Sequence, residues 1–539
     1  MLTAPLLLFY TFIAGMNIPA FRSLVTALLV LFAVVLRRQR SLIHLIAATA
    51  LLVLAVSPLA LFTASFQLSF AAVLAINCIY PRLPMIIAKA DVNATPNLLT
   101  KGLWTLQSML YVSLAATAGT LPFMLYHFNR FSLIGPVMNL IIEPLLCLWA
   151  LPCGLLGIPL IWVAPDLAAL IFKFGSAGIW LTVWLAEALA GFPYASLWAI
   201  TPSFFEITVF FVILFILLQE QRTSRRLSLA FFLSIGLLGS FTFSLWDPRQ
   251  GKELLVSFLD VGQGTSTLLQ LPNGKNILID GGGNQTERFN PGQSIIAPFL
   301  WRQRIWRIND LIITHPHKDH YNGLPFIYAR FQPQRLIVNG DNGDEPAYLE
   351  FLETVRTQKT PIIKAIAGDK LQQDQGLLLE CLGMNGLLDD TSVWPTNDRS
   401  IVLRLQFGER SFLFPADIGI ESEKRLPQGD GRLRSDVLLA PHHGSLTSSS
   451  PEFIAAVSPA LIVVSASMAR QGILPAPIHL SDWRQAKILP LVTASQGTIT
   501  CCTDGEKLQA RIFTGESYHL EEKGRMILQK KVGLNSLEL

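Results

Sequence analysis

Apolar positions divide this 539-residue chain into two unlike parts. From Met1 to Trp246 long apolar runs follow one another near 2–16, 22–36, 43–63, 65–80, 104–125, 131–148, 149–163, 167–191, 203–219 and 228–245. A helix that crosses the hydrocarbon core needs about 20 mostly apolar residues. Residues 1–246 therefore predict a polytopic, all-α membrane domain of about eight to ten helices. From 247 onward the apolar runs are short and end in polar loops. Asn276-Ile277-Leu278-Ile279 ends in Asp280 and three glycines, and Leu311-Ile312-Ile313-Thr314 ends in His315-Pro316-His317-Lys318-Asp319-His320. Phe412-Leu413-Phe414 leads to Asp417, and Val437-Leu438-Leu439-Ala440 to Pro441-His442-His443-Gly444-Ser445. Strands that end in this way bring side chains to one edge of a sheet, so residues 247–539 predict an α/β domain with a shared site. The Trp246-Asp247-Pro248-Arg249-Gln250-Gly251 segment, with its turn residues and its change of composition, is the expected boundary.

Composition and charge sharpen this division. The chain is 51% hydrophobic and only 15% charged, too apolar for an average soluble protein. Twelve of its 42 Lys and Arg and six of its 38 acids precede residue 247, so the first part is net +6 and the remainder, with 30 and 32, net −2. A signal peptide is not expected at the N-terminus, because Met1-Leu2-Thr3 lacks a basic region and further apolar runs follow. Three basic clusters favour the cytoplasm: Arg37, Arg38 and Arg40; Arg82, Lys89 and Lys101; Arg222, Arg225 and Arg226. A last span at 228–245 then delivers the α/β domain to the outer side of the membrane. Seven runs separate Arg40 from Arg222, however, and two loops on one side require an even number. The stretch 131–163, interrupted by Pro136, Pro144, Pro152 and Pro159, is where the sequence predicts a re-entrant or broken element.

The chemistry concentrates in the histidine loops, which hold five of the nine histidines. In an extended chain residues two apart point the same way, so His315 and His317 can clamp one ion while Asp319 and His320 face the neighbouring space. Two adjacent divalent ions follow from one loop, and the mixed imidazole and carboxylate set suits zinc or manganese. His442 and His443 are adjacent and cannot face one centre equally; one ligates while the other orients, donates a proton or contacts substrate. The six cysteines form no Cys-x-x-Cys pair and are expected to be core residues rather than a disulfide framework or a thiolate site. Polar groups within the apolar half, Arg22, Gln67, Glu143 and Glu187, are candidates for a path through the membrane. The α/β half has no overall basic field, so nucleic acid would depend on a local stripe such as Arg302, Arg304 and Arg307.

The order Asp280, His315-x-His317-x-Asp319-His320, Asp417, His442 resembles the metallo-β-lactamase fold, a four-layer αβ/βα sandwich. Leu259-Asp260-Val261-Gly262-Gln263-Gly264 and Pro441-His442-His443-Gly444-Ser445, with Gly15 to Arg22 and Phe66-Gln67-Leu68-Ser69-Phe70 in the first half, resemble the ComEC family of competence proteins. That resemblance implies an inner-membrane protein that takes up transforming DNA, with a metal-dependent nuclease acting on the strand that is not imported. It implies that Asp417 bridges two ions, that Asp280 anchors the loops or the nucleophile, that His442 completes the second site beside Asp319 and His320, and that His443 stands near the leaving group. Asp319, His443 and Asp280 are then the catalytic set, and Asp260, Gln263, Asn397, Ser400 and Ser445 contact substrate. His479 is expected at the substrate edge or in a structural role. The alternatives are a transport or binding component with an inefficient hydrolase domain and a membrane-anchored hydrolase of small phosphoesters. The sequence departs from the family in three places. No His lies between His320 and His442, where the family carries Asn and Ser, here Asn397 and Ser400, which predicts weak binding of the ion at His315 and His317. Thr265 stands where an acid is usual. The family's further spans and small β-barrel do not precede Gly15, so its N-terminal portion is expected to be missing, through a misassigned start, a fragment or a shortened relative. The expected partners are DNA, membrane lipid, other uptake components and a second copy of the chain. No Gly-Lys-Ser/Thr nucleotide loop is present, so an ATP-driven step needs a partner.

Overall fold

The computed structural model describes residues 3–35, 41–83, 98–219, 223–243, 253–283, 289–374, 376–383, 394–427, 431–467, 474–521 and 524–531. The predicted boundary at Trp246–Gly251 and the basic residues Arg37, Arg38, Arg40, Lys89 and Arg222 lie outside them. The chain forms two compact units, Met1–Thr242 and Phe243–Leu539.

The first unit is helical. Among the described residues five helices are long and apolar enough to cross a membrane: Ala64–Arg82, Leu98–Phe128, Gly135–Leu160, Pro165–Ala190 and Ser224–Phe243. Ala4–Ile13, Pro19–Phe32, Leu42–Val56 and Phe204–Leu217 are shorter apolar helices. The runs 131–148 and 149–163 form one helix rather than two elements. Pro136 occupies its first turn, where no N–H is needed, and the chain passes Pro144 through a π-helical stretch, Pro144–Ala150, before resuming as Leu151–Leu160. Tight packing on small residues secures this helix to the next one. A Cβ on Gly175 would sit 2.7 Å from that of Cys153, and one on Gly178 would sit 3.2 Å from the Trp149 ring. Without water to drive association, such close backbone approach is a main source of helix attachment in lipid.

The second unit has two sheets. The larger runs Met526–Lys531, Glu516–Leu520, Leu508–Ile512, Ile499–Thr503, Leu254–Phe258, Thr267–Gln270, Asn276–Ile279, Asp310–Ile313, Arg335–Val338, Ile362–Lys364. The smaller runs Leu489–Val492, Leu461–Val464, Val437–Leu439, Arg410–Phe414, Leu403–Phe407, Leu377–Cys381, Lys370–Asp374. The inner faces meet in a core that includes Val256, Phe258, Leu269, Leu403, Phe412 and Phe414, with the Phe258 and Phe414 rings 6.1 Å apart. The outer face of the smaller sheet is covered by Phe453, Val457 and Trp483 from its helices. Burial on both faces explains why residues 311–313 and Leu461–Val464 read as unbroken apolar runs rather than alternating ones. The unit is thus the expected four-layer sandwich of the metallo-β-lactamase fold.

Candidate metal centre

Strand direction places the site. Leu254–Phe258, Asn276–Ile279, Asp310–Ile313 and Arg335–Val338 all point the same way, since two antiparallel steps and then parallel pairings link them. Arg410–Phe414, Val437–Leu439 and Leu461–Val464 are likewise parallel. The polar loops sit at their C-terminal ends, where backbone groups and side chains are free to face a ligand. After Ile313 the chain bends through residues 314–316, the His317 N–H donating to the His315 carbonyl at 3.0 Å, and then enters the short helix Lys318–Tyr321, which carries Asp319 and His320. This loop is crossed so closely by the Gly262-Gln263-Gly264 turn that a Cβ on Gly264 would lie on the Asp319 carbonyl oxygen, and Gly264 itself is left-handed at φ +88°. Only glycine fits there. The Thr265 N–H then donates to the same carbonyl at 3.2 Å. Left-handed backbone also occurs at four non-glycine residues of the site, Asp280, Ala416, His442 and His443, and strain of this kind collects at functional sites.

Ligand atoms of Asp319, His320, Asp417 and His443 lie within 4.8 Å of one another, with Asp417, His320 and His443 buried. His320 Nε2 is 3.3 Å and His443 Nε2 3.4 Å from Asp417 Oδ2, and His443 Nε2 is 3.7 Å from Asp319 Oδ2. The opposite ring nitrogens are anchored: His320 Nδ1 donates to Asp280 Oδ2 at 2.7 Å and His443 Nδ1 to the Ser465 carbonyl at 3.0 Å. His320 Nε2, His443 Nε2 and Asp417 Oδ1 are buried without a hydrogen-bond partner. Buried polar atoms left in this state are costly unless something binds them. Two imidazoles and two carboxylates with the outer nitrogens fixed form the donor set of a divalent cation. These residues fit the ion that the sequence predicts.

His443, and not His442, joins Asp319 and His320 in this cluster. His442, for which the sequence predicts a ligand role, lies beside the cluster, its Nδ1 facing Thr447 Oγ1 at 3.1 Å and its Nε2 facing Asn397 Nδ2 at 3.4 Å. Asp280 is held as an anchor of the loops. Both its oxygens are engaged, Oδ1 by the Thr314 N–H at 2.9 Å and Oδ2 by Thr314 Oγ1, Thr265 Oγ1 and His320, so it ties the loops together and positions His320. Thr265, Thr314 and Ser465 are positioning residues that sequence reasoning misses. For Thr265 the one signal in the sequence is that it stands where the family carries an acid.

His315 Nε2 and His317 Nδ1 face each other at 3.1 Å, as a pair prepared to chelate. Ser400 Oγ lies 3.2 Å from His315 Nδ1, and it donates to the Asn397 carbonyl at 2.6 Å. Asn397 Oδ1 is buried and unpartnered. Asp260 is half-buried on the opening loop, and the Gln263 carbonyl accepts from the Gly283 N–H at 3.2 Å. Ser445 Oγ pairs with Thr447 Oγ1, and its carbonyl accepts from His479 Nε2 at 3.1 Å; His479 in turn stacks on Trp483. Arg302 ends the helix Ala297–Arg302, and Arg304 and Arg307 follow it before strand Asp310–Ile313. In the helical unit Gln67 is taken up by His127 at 2.8 Å and by the Leu61 carbonyl at 3.0 Å, while Glu143 lines a mixed cleft with Lys101, Trp104, Thr105, Met109 and Ser113.

The charge balance makes metal loading depend on pH. Burial pushes His443 down, but Asp417 and Asp319 hold it protonated up to about 10. Burial likewise opposes the charge on His320, yet Asp417 and Asp280 keep its pKa well above the ordinary imidazole value. Burial raises Asp417, and His443 and His320 outweigh it, holding Asp417 well below the usual carboxylate range. Below these raised imidazole values the metal-free cluster therefore carries two protons that a ligated ion must displace. Calorimetric titration of the full chain with manganese near neutral pH, in buffers of different ionisation enthalpy, is expected to show release of about two protons per ion and an affinity that rises steeply with pH. A heat that does not depend on the buffer would contradict the protonated pair.

Ligands delivered in this order by the ends of parallel strands from both sheets define a metallo-β-lactamase-type hydrolase fold, and residues 259–465 match the model of the metallo-beta-lactamase superfamily. Residues 1–223 match the model of the competence protein family. The pairing of these two domains, with relatives across most of the chain, is that of the ComEC family of competence proteins, to which the chain is similar. It is 26% identical over 82% of its length to ComE operon protein 3 of Bacillus subtilis, covering 56% of that protein. It is 27% identical over 85% of its length to Recombination protein 2 of Haemophilus influenzae, covering 57%, and 28% identical over 86% to Competence protein ComA of Neisseria gonorrhoeae, covering 59%. The chain thus spans a little over half the length of these relatives.

Proposed function

We propose that this chain is an inner-membrane component for uptake of transforming DNA whose hydrolase domain is a metal-dependent phosphodiesterase acting on the strand that is not imported. The observation that carries this reading is the cluster of unpartnered, buried ligand atoms on His320, His443 and Asp417 in a chain whose other half is a competence domain. A bound divalent ion supplies a water acidified from a pKa of about 15.7 to near 7 and neutralises charge on a phosphate. Asp319, His320, Asp417 and His443 would hold that ion, and His315 and His317, with Asp417 shared, would hold a second one. Asp280 and the Ser465 carbonyl fix the two imidazoles so that their Nε2 atoms stay turned inward. His442, Asn397 and Ser445 line the approach and contact the substrate backbone.

Fusion of the runs 131–148 and 149–163 supports the outer placement of the hydrolase domain. With the shorter helices Leu42–Val56 and Phe204–Leu217 counted as crossings, six helices instead of seven then separate Arg40 from Arg222, so both basic loops fall on the cytoplasmic side and the span Ser224–Phe243 leads outward. DNA, lipid, further uptake components and a second copy of the chain are the partners in this reading.

The test is cleavage of labelled single- and double-stranded DNA by the purified full chain with zinc or manganese, beside Asp319→Ala and His320→Ala. Metal-dependent cleavage lost in both variants is expected. Stoichiometric metal binding without cleavage would favour the transport or binding component, which the Ser400–His315 contact in place of a third imidazole also favours. Cleavage of small phosphodiesters alone would favour the anchored small-phosphoester hydrolase.

A further inference from the structure

The rim of the metal centre carries a cation with no acid of its own. There the turn 394–400 and the segment that follows Asp417 are tied together: Asp398 Oδ1 accepts from the Gly419 N–H at 2.8 Å and from Ser422 Oγ at 2.7 Å. The Ile420 N–H donates at 3.0 Å to the carbonyl of Thr447, whose hydroxyl faces His442. This frame sets Arg425 over the half-buried indole of Trp394, with the guanidinium carbon 3.8 Å from the ring centroid. A guanidinium so close to an aromatic face is attracted by the ring and held flat against it. Arg425 is nonetheless exposed, and among the described residues no hydrogen bond or ion pair engages its donors. The other cations of the rim are taken: Lys424 pairs with Glu421 at 2.7 Å and Arg399 with Asp341 at 2.8 Å. Glu421, which also feels the Arg425 charge, is thus bound by Lys424, and Asp398 by its two donors.

We propose that Arg425, held on Trp394, anchors a backbone phosphate of the nucleic-acid strand, next along from the one at the metal centre. This rests on the nucleic-acid reading of the site and narrows its substrate to a polymer. The guanidinium suits the role because its parallel N–H groups match phosphate oxygens, and because a side chain already fixed loses less freedom on binding. Its position suits the role as well. Trp394 and Asn397 are three residues apart, so their Cα atoms are separated by at most about 11 Å. Asn397 in turn faces His442 at 3.4 Å, beside the metal cluster. A strand lying at the metal therefore reaches Arg425 with a flanking phosphate, which a small phosphodiester does not possess.

The experiment measures binding of a fluorescein-labelled oligothymidylate to the purified full chain, by anisotropy with a chelator present and over a series of salt concentrations. Wild type is compared with Arg425→Gln, Trp394→Leu and Lys424→Gln. Cleavage of the same oligonucleotide and of bis(p-nitrophenyl) phosphate is followed separately with manganese. Arg425→Gln is expected to weaken oligonucleotide binding about tenfold, the order of one hydrogen-bonded charge contact. It should also lower the slope of log K against log salt by about 0.7, the share of one phosphate on a single strand. Trp394→Leu keeps the charge and removes only its support, so about threefold weaker binding is expected. Lys424→Gln should bind as wild type, and kcat and KM for the small phosphodiester should be the same in all four chains. Equal losses in Lys424→Gln and Arg425→Gln would mean a diffuse positive field and overturn the proposal. Unchanged binding by Arg425→Gln would overturn it too, even where wild type cleaves the oligonucleotide and the nuclease reading stands. Binding that depends on Arg425 without any cleavage would sustain the anchor and remove the nuclease, so the two readings fail separately.

Discussion

His443→Ala is expected to strip the metal centre, and His442→Ala to leave the metal in place, although the two side chains are neighbours in sequence. His443 contributes a buried Nε2 turned to Asp417 and Asp319, and no hydroxyl or backbone group partners that atom. Its loss removes one of four ligands and leaves Asp417 buried opposite His320 alone. A buried charge that loses a partner typically costs about 3–5 kcal/mol, so the metal-free variant also loses stability. His442 is half-exposed and pairs with Thr447 and Asn397, so its removal deletes no ligand atom. Metal content after exhaustive dialysis, read by atomic emission, should fall from stoichiometric to near zero for His443→Ala and stay near wild type for His442→Ala. Any phosphodiesterase activity should fall by roughly 10³-fold or more in the first variant, the order seen when a central catalytic group is deleted. The reverse pattern of metal loss would restore His442 as the ligand and sink the geometry.

Why sequence could not make that choice is a matter of backbone. In Pro441-His442-His443-Gly444 both histidines occupy left-handed conformations, φ 47° and 56°, a state that nothing in their side-chain chemistry signals. The pair of turns, together with the Ser465 carbonyl waiting on the neighbouring strand, swings the second imidazole inward and the first outward. The loop His315–His320 is readable for the opposite reason: its ligand-type residues fall within six consecutive positions, so a bend and one helical turn keep them together locally. Asp280 lies between these cases. Its place at a strand end is evident, but its positioning role depends on Thr265 and Thr314, whose hydroxyls converge only in the folded sheet. In the helical half the apolar runs are plain, whereas four prolines suggest a break that the structure absorbs in a π turn. Proline reads as a breaker because the aqueous rule charges it for a lost hydrogen bond, and in lipid local π geometry and packed neighbours make up for that bond.

Asp280→Asn tests the anchoring of the centre with the least change in shape. The carboxylate accepts from the Thr314 N–H, from two hydroxyls and from His320 Nδ1, and its charge helps keep His320 oriented with Nε2 toward Asp417. An amide keeps the volume but presents one oxygen and one NH₂. The NH₂ would face either the Thr314 N–H or the His320 Nδ1–H, a donor against a donor, and in the second case the ring is driven to the tautomer that puts its proton on Nε2. A ligand atom so protonated cannot bind a cation. Loss of such outer partners typically weakens metal affinity by about 10–100-fold, and that is the drop expected in a competition titration against a chromophoric chelator. Secondary structure by circular dichroism should be unchanged, which separates this outcome from general unfolding. Substitution of cobalt, whose visible bands report ligand geometry, should show an altered spectrum in the variant. An Asp280→Asn chain with wild-type affinity and an unchanged cobalt spectrum would mean that Thr265 and Thr314 position His320 without the carboxylate, and Asp280 would then be no positioning residue at all.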